Sequence, residues 1–222
     1  IIYIKHLKGA IQMIGDMQTW TPNVAGIIEH AREIHPKTEI ISRLVSGEIH
    51  RSNYENVCIR ARKLASALEK DGIQNGDVVA TLALNTYRHL EMYYGISGMG
   101  AVTHTLNFRL HPEQAVYIIN HAEDKMIFVE LPFVPILEAL QDNLKTVEKY
   151  VVLCEVEEMP KTSLKNAISY EEYIEDGDEN YKWPNLADDA ACALCYTSGT
   201  TGNPKGVLYS HKSNIIHAQA SL

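Results

Sequence analysis

The chain has 222 residues, 45% of them hydrophobic and 22% charged. That is an ordinary globular balance; it excludes wholesale disorder and supplies a full hydrophobic core for one or two domains. Twenty Lys and Arg against 28 Asp and Glu leave a net charge of -8, which argues against a general nucleic-acid or anionic-membrane binder.

Residues 1–18 are weakly patterned and read as an extension ahead of a domain over 19–222. They have neither the apolar run nor the cleavage site of a signal peptide. They also lack an initiating Met at position 1, so the chain is expected to begin inside its natural gene product. Thr21-Pro22 predicts a helix start, Thr as cap and Pro in the first turn. Val24, Ile27, Ile28, Ala31 and Ile34 then recur at helical spacing. Residues 39–45 and 48–51 predict a hairpin around Ser46-Gly47. Ser52-x-x-Glu55 reads as a capping box for a helix that turns Val57, Ala61, Leu64, Ala65 and Leu68 inward and stops at Gly72.

Residues 78–84 form a near-continuous apolar run of the buried-strand type. A helix is predicted over 86–99, with Gly95 and Gly100 marking close backbone packing. On it, Arg88, His89 and Tyr93 read as structural or interface residues. A short strand near Val102 follows, then a helix from His111-Pro112 with Ala115, Ile118 and Ile119 inward. Residues 125–129 and 147–153 predict strands on either side of a short helix over 135–140. Strand alternating with helix at this rhythm indicates an α/β fold, a mostly parallel sheet flanked by helices. Residues 155–189 are rich in Asp and Glu and read as a solvated connection with a short helix near 170–174.

Residues 190–196 are an apolar strand carrying Cys192 and Cys195. Positions three apart on a strand point to opposite faces, so this C-x-x-C reads as two core cysteines and not as a metal or redox pair. Four cysteines in all are too few for a disulfide scaffold and fit a reducing, cytoplasmic setting. No stretch reaches the roughly 18 uninterrupted apolar residues that cross a bilayer. After the strand comes Thr197-Ser198-Gly199-Thr200-Thr201-Gly202-Asn203-Pro204-Lys205-Gly206, and then a second strand over 207–209. The glycines permit tight turns, the backbone amides and hydroxyls can surround an anion, and Lys205 supplies a point charge. The spacing matches neither G-x-x-x-x-G-K-[ST] nor G-x-G-x-x-G, both of which open a helix. Phosphate binding and a polar glycine-rich hairpin both remain open on these residues alone. His211, after the second strand, is either a site residue or a helix-start residue packing locally, with a helix over 214–222.

Residues 196–207, Tyr-Thr-Ser-Gly-Thr-Thr-Gly-Asn-Pro-Lys-Gly-Val, resemble the phosphate-loop signature of the adenylate-forming enzymes. Ser42-Arg43-Leu44, Gly76-Asp77-Val78, Arg88-His89-Leu90-Glu91, Gly98-Met99-Gly100-Ala101-Val102 and Asn120-His121-Ala122-Glu123-Asp124 resemble the medium- and long-chain fatty-acyl-CoA synthetase branch. The resemblance implies that 19–222 is the first, incomplete part of that superfamily's large N-terminal domain. It implies attack of a fatty carboxylate on the α-phosphorus of ATP, then transfer of the acyl group to coenzyme A. An aryl, short-chain or amino acid substrate, or a non-catalytic nucleotide-binding or dimerisation module, stays open as an alternative. By the same resemblance, Thr197 bears on Mg²⁺, Ser198, Gly199, Thr200, Thr201 and Gly202 wrap the phosphates, and Lys205 supports the loop or the diphosphate. Thr197 and Lys205 are therefore the expected catalytic residues. A homodimer is expected, and the rest of the active site is expected to lie outside these residues, leaving them without turnover of their own.

Overall fold

The computed structural model describes residues 4–7, 10–13, 21–197 and 203–221. Within the N-terminal segment, β1 (Ile4–Leu7) and β2 (Ala10–Met13) pair antiparallel as a hairpin, where the sequence had offered only an extension. The first helix, α1 (Val24–Ile34), is capped by Asn23, whose side chain accepts from the Gly26 amide; Thr21 is not the cap. β3 (Glu39–Arg43) and β4 (Ile49–Asn53) form the expected hairpin.

The long helix α2 (Tyr54–Lys70) begins one residue later than the capping box implied. The β3–β4 ladder runs through Ser52, opposite Ile40, to its last residue Asn53, opposite Glu39, and Asn53 takes the cap and accepts from the Asn56 amide at 2.9 Å. At the other end Gly72, with φ +83°, donates to Glu69 O while Ile73 donates to Leu68 O. These two bonds satisfy the last carbonyls of the helix.

The main sheet is built from β5 (Val78–Leu82), β6 (Val102–Thr105), β7 (Met126–Val129), β8 (Lys149–Val152), β9 (Ala167–Ser169), β10 (Ala191–Thr197) and β11 (Lys205–Ser210). Their spatial order is β11-β10-β6-β5-β7-β8-β9, and every neighbouring pair is parallel except β10–β11. From β5 the chain moves to β6 through α3 (Tyr87–Gly98), then crosses back over β5 to β7 through α4 (Pro112–Ala122). Right-handed crossovers running in opposite directions place their helices on opposite faces. Accordingly Val79, Met126, Phe128 and Val151 pack under α2, α3 and α6 (Tyr170–Glu175), while Ala80, Ile127, Val129 and Val152 pack under α4 and α5 (Val134–Leu140). The α/β reading, a mostly parallel sheet between helices, is what the chain adopts.

The acidic stretch is more than a solvated connection. It supplies the edge strand β9 and the helix α6, and Tyr170 and Ile174 enter the core. Beyond α6 it returns the chain from one edge of the sheet toward the other across the helical layer. Lys63, Lys70 and Arg62 hold the backbone carbonyls of Glu175, Asp176 and Glu179, and the Trp183 indole donates to Glu29 at 2.7 Å. The last helix, α7 (His211–Ala220), follows β11 directly.

Candidate active site

Two of the residues singled out in the sequence stand opposite each other. Thr197 is the last residue of β10 and Lys205 the first of β11, and they close the antiparallel ladder as register partners. Both are exposed. Ser198, Gly199, Thr200, Thr201 and Gly202 lie outside the described residues. The ladder delivers the two ends of the loop to the carboxyl end of β10, which runs parallel to β6 with Leu194 beside His104. Crevices at the carboxyl ends of parallel strands are where open α/β sheets take their ligands.

Such a crevice is present. A cavity of about 370 Å³ opens between the ends of β6 and β10 and the start of α4, lined in part by His104, Asn107, Gln114, Tyr196, Thr197 and Pro204. Its polar lining is made of hydroxyls, amides and an imidazole, with no carboxylate among its lining residues. Tyr196, which leads into the loop, is fixed from two sides: its hydroxyl lies 2.6 Å from Nδ1 of His121 on α4, and its ring packs at 5.2 Å against that of His104. Opposite it in the ladder is Gly206, where a Cβ would come within 3.2 Å of the Tyr196 ring.

His104 and Asp124 are the functional candidates that reasoning from sequence passed over. Nδ1 of His104 sits 2.9 Å from both carboxylate oxygens of Asp124, and both side chains are fully buried. Burial raises the Asp124 carboxyl above the usual range, with the His104 contact opposing. The available signal was a histidine between two threonines in the short strand segment Val102 to Leu106.

The remaining candidates resolve into packing. His211 opens α7 fully buried, and its Nδ1 accepts from the Val24 amide of α1 at 3.3 Å. That contact is structural and long-range, not the local packing expected from its position. Burial also lowers its pKa. Arg88 joins Arg60 on the Glu171 carboxylate and reaches Glu155 at 2.6 Å. His89 lies 3.2 Å from the Thr81 hydroxyl and stacks on Tyr93. The two C-x-x-C sulfurs have different partners: Cys192 accepts from the Asn214 amide, and Cys195 lies 3.4 Å from the Thr105 hydroxyl. Among the described residues no group of three or more His, Cys, Asp or Glu side chains is placed to hold a metal ion. No described helix is long and apolar enough to cross a membrane.

Comparison with known proteins agrees with this geometry. The family model described as AMP-binding enzyme matches residues 28–222. A medium-chain-fatty-acid–CoA ligase of Ectopseudomonas oleovorans is 44% identical over 209 residues, covering 94% of this chain and 38% of that protein. A 3-methylmercaptopropionyl-CoA ligase of Ruegeria lacuscaerulensis is also 44% identical, over 94% of this chain and 39% of that protein. A long-chain-fatty-acid–CoA ligase of Thermus thermophilus is 41% identical over 90% of this chain and 35% of its own length. The chain therefore spans less than two-fifths of these relatives. In fold it is similar to the anthranilate CoA ligase AuaEII, solved with anthranoyl-AMP, at a TM-score of 0.80 and 24% identity over 91% of this chain and 37% of that one. With the family signature on a loop between two paired strands, and the family's sheet beneath it, the chain belongs to the AMP-binding, adenylate-forming enzymes.

Proposed function

We propose that this chain is the phosphate-gripping part of an ATP-dependent carboxylic acid–CoA ligase. The whole protein would join a carboxylate to AMP with loss of diphosphate, and then pass the acyl group to the thiol of coenzyme A. The observation that carries this reading is the pairing of Lys205 with Thr197, which lines a cavity that has no carboxylate among its described lining residues. In this reading the Thr197 hydroxyl and the Lys205 ammonium offset charge on a transferring phosphoryl group. The attacking acid is already ionised near neutral pH and needs no general base.

In this reading Ser198, Gly199, Thr200, Thr201 and Gly202 wrap the phosphates. The described residues fit Mg²⁺ carried in by the nucleotide, with the Thr197 hydroxyl as a single oxygen ligand; Mg²⁺ commonly takes most of its ligands from phosphates and water. Bound there, the ion would withdraw charge from the phosphate oxygens. Thr197 would orient the phosphate chain, and Lys205 would hold its outer end or the loop itself. Coenzyme A enters as co-substrate.

The acid is an aliphatic one in this proposal, a medium- or long-chain fatty acid in its finer form. The 3-methylmercaptopropionyl relative, equal in identity to the medium-chain one, favours a short thioether acid as a second reading. Diphosphate release by the full-length protein, with ATP and Mg²⁺, should be measured across acetate, 3-methylmercaptopropionate and fatty acids of increasing length. A rate maximum at medium or long chains supports the finer form, and a maximum at the thioether acid supports the second. Thr197→Val should lower the rate by about 10²-fold, the scale of losing one transition-state contact. Absence of diphosphate release with every carboxylate, from folded protein, overturns the reading.

A further inference from the structure

The end of β10 that carries Thr197 projects beyond the parallel part of the sheet. Pairing with β6 covers Ala193 opposite Thr103 and Leu194 opposite His104, and stops there. Cys195, Tyr196 and Thr197 continue outward, paired with Val207, Gly206 and Lys205 of β11. Since β11 is the edge strand of the sheet, the tip is a two-stranded ribbon, and such a ribbon is marginal by itself. Thr197 and Lys205 both stand on this tip, so whatever fixes the tip fixes them.

Side chains brace it from both faces, because neighbouring residues of a strand point to opposite sides. On one side the Cys195 sulfur lies 3.4 Å from the Thr105 hydroxyl, a weak contact. On the other, the Tyr196 hydroxyl lies 2.6 Å from Nδ1 of His121, which is the shorter and stronger tie. The His121 ring is itself held on α4 by stacking on Tyr117, with centroids 5.3 Å apart. This tie joins two walls of the cavity, since Gln114 and Ile118 of α4 line one side and Tyr196 and Thr197 the other. It does not depend on where the imidazole proton sits: a phenol hydroxyl donates to a bare Nδ1 and accepts from a protonated one.

We infer that His121 is a positioning residue for nucleotide binding, an inference that rests on the ligase reading. Through the Tyr196 hydroxyl it sets the tip of the β10–β11 hairpin, and with it Thr197 and Lys205, against the cavity. It acts through Tyr196 and not on the reacting atoms. With the tie cut, only those molecules whose tip stands in the binding setting take up ATP, and apparent affinity falls by that fraction. Bound nucleotide then holds the tip in place, so the rate at saturation is kept. The loss is therefore one of ATP affinity and not of turnover.

The test is carboxylate-dependent exchange of labelled inorganic diphosphate into ATP by the full-length protein, with half-saturating concentrations measured for ATP and for the carboxylate. Tyr196→Phe and His121→Leu should each raise the ATP value by about three- to tenfold, the scale of one hydrogen bond. The double variant should be no worse than either single one, because both substitutions cut the same tie. The maximal rate and the carboxylate value should stay within about twofold of wild type. Both substitutions are mild for the fold: His121 is exposed, and phenylalanine keeps the Tyr196 ring. If His121→Leu does not fold, Tyr196→Phe decides alone. An unchanged ATP value in Tyr196→Phe overturns the inference, as does a loss confined to the maximal rate. Penalties that add in the double variant overturn it too, since the two side chains would then act separately. Failure of the ligase reading looks different, because wild-type protein would then show no exchange with any carboxylate.

Discussion

Glu91 is fully buried in α3, where its carboxyl meets the Arg60 guanidinium at 2.7 Å and the Tyr170 hydroxyl at 2.9 Å. Burial nevertheless dominates and pushes the carboxyl from its ordinary 4.5 up to about 7, with Arg60 opposing. The sign of the consequence follows from proton counting. Between those two pH values the folded protein holds a proton that the unfolded chain has released, so this group's contribution to stability falls as pH rises through the window and is gone above it. Denaturant melts should therefore show the stability of wild type relative to Glu91→Gln declining from pH 5 to pH 8, by on the order of 1 to 3 kcal/mol. A difference that stays flat with pH would mean the carboxylate is ionised throughout. Little of this is legible in the chain as a string. Arg60, Glu91 and Tyr170 are up to 110 positions apart, and only the stacking of α2, α3 and α6 against one another brings them together. His104 and Asp124 were hidden for the same reason: one sits between threonines in β6 and the other in a charged turn after α4, and only the fold brings them together.

Two glycines separate conformational from packing constraints at the level of elements. Gly72 has a positive φ and open space around it, so its requirement is purely one of backbone. Gly95 has an ordinary helical backbone, but a Cβ there would lie 2.8 Å from Leu64 Cδ2 and 2.9 Å from the Ala61 carbonyl, so its requirement is the closeness of α2 to α3. Gly72→Ala should cost about 1 to 2 kcal/mol, and Gly72→Asn less, since Asn tolerates the left-handed region. Gly95→Ala should cost about 1 to 3 kcal/mol, and Gly95→Asn more than Gly95→Ala, because volume is what the site lacks. Thermal melts in which Asn is the milder substitution at both sites would contradict the distinction. Both roles were readable, as a helix stop and as close packing, because glycine has few uses inside or just beyond an amphipathic helix. The caps were less readable. Ser52 and Asn53 are both good N-cap residues, and the length of the hairpin strand, which extends through Asn53, sets the cap one residue later than the sequence motif.

Taken whole, the molecule shows why its class was legible and its strand order was not. Apolar runs alternating with helical periods specify an α/β fold, but no run states which strand will be its neighbour, and the three residues of β9 give no periodic signal inside an acidic stretch. The antiparallel placement of β11 does follow from the short loop after β10, since a parallel return needs a crossover of a dozen or more residues. That placement leaves β11 at one edge of the sheet, and the edge is apolar: Val207, Leu208 and Tyr209 are 40%, 62% and 43% exposed. Ile216 on α7 adds to the same end of the chain at 55% exposed. An edge strand of this kind has unpaired backbone groups beside apolar side chains, and natural sheets blunt such edges with lysine or proline. Lys205 guards only the first residue of β11, and no proline follows it there. The 222 residues expressed alone should consequently associate through this edge, with an apparent mass in sedimentation that rises with concentration across the micromolar range. Leu208→Lys places a charge at the most exposed of the three positions, on the outward face, so it should restore a single monomeric species with no loss of melting temperature. Association that Leu208→Lys leaves intact would assign the contact to another surface, such as the β3–β4 hairpin with Ile41 and Ile49 exposed. A wild-type chain that remains monomeric across that range would show that the edge is protected by its own twist.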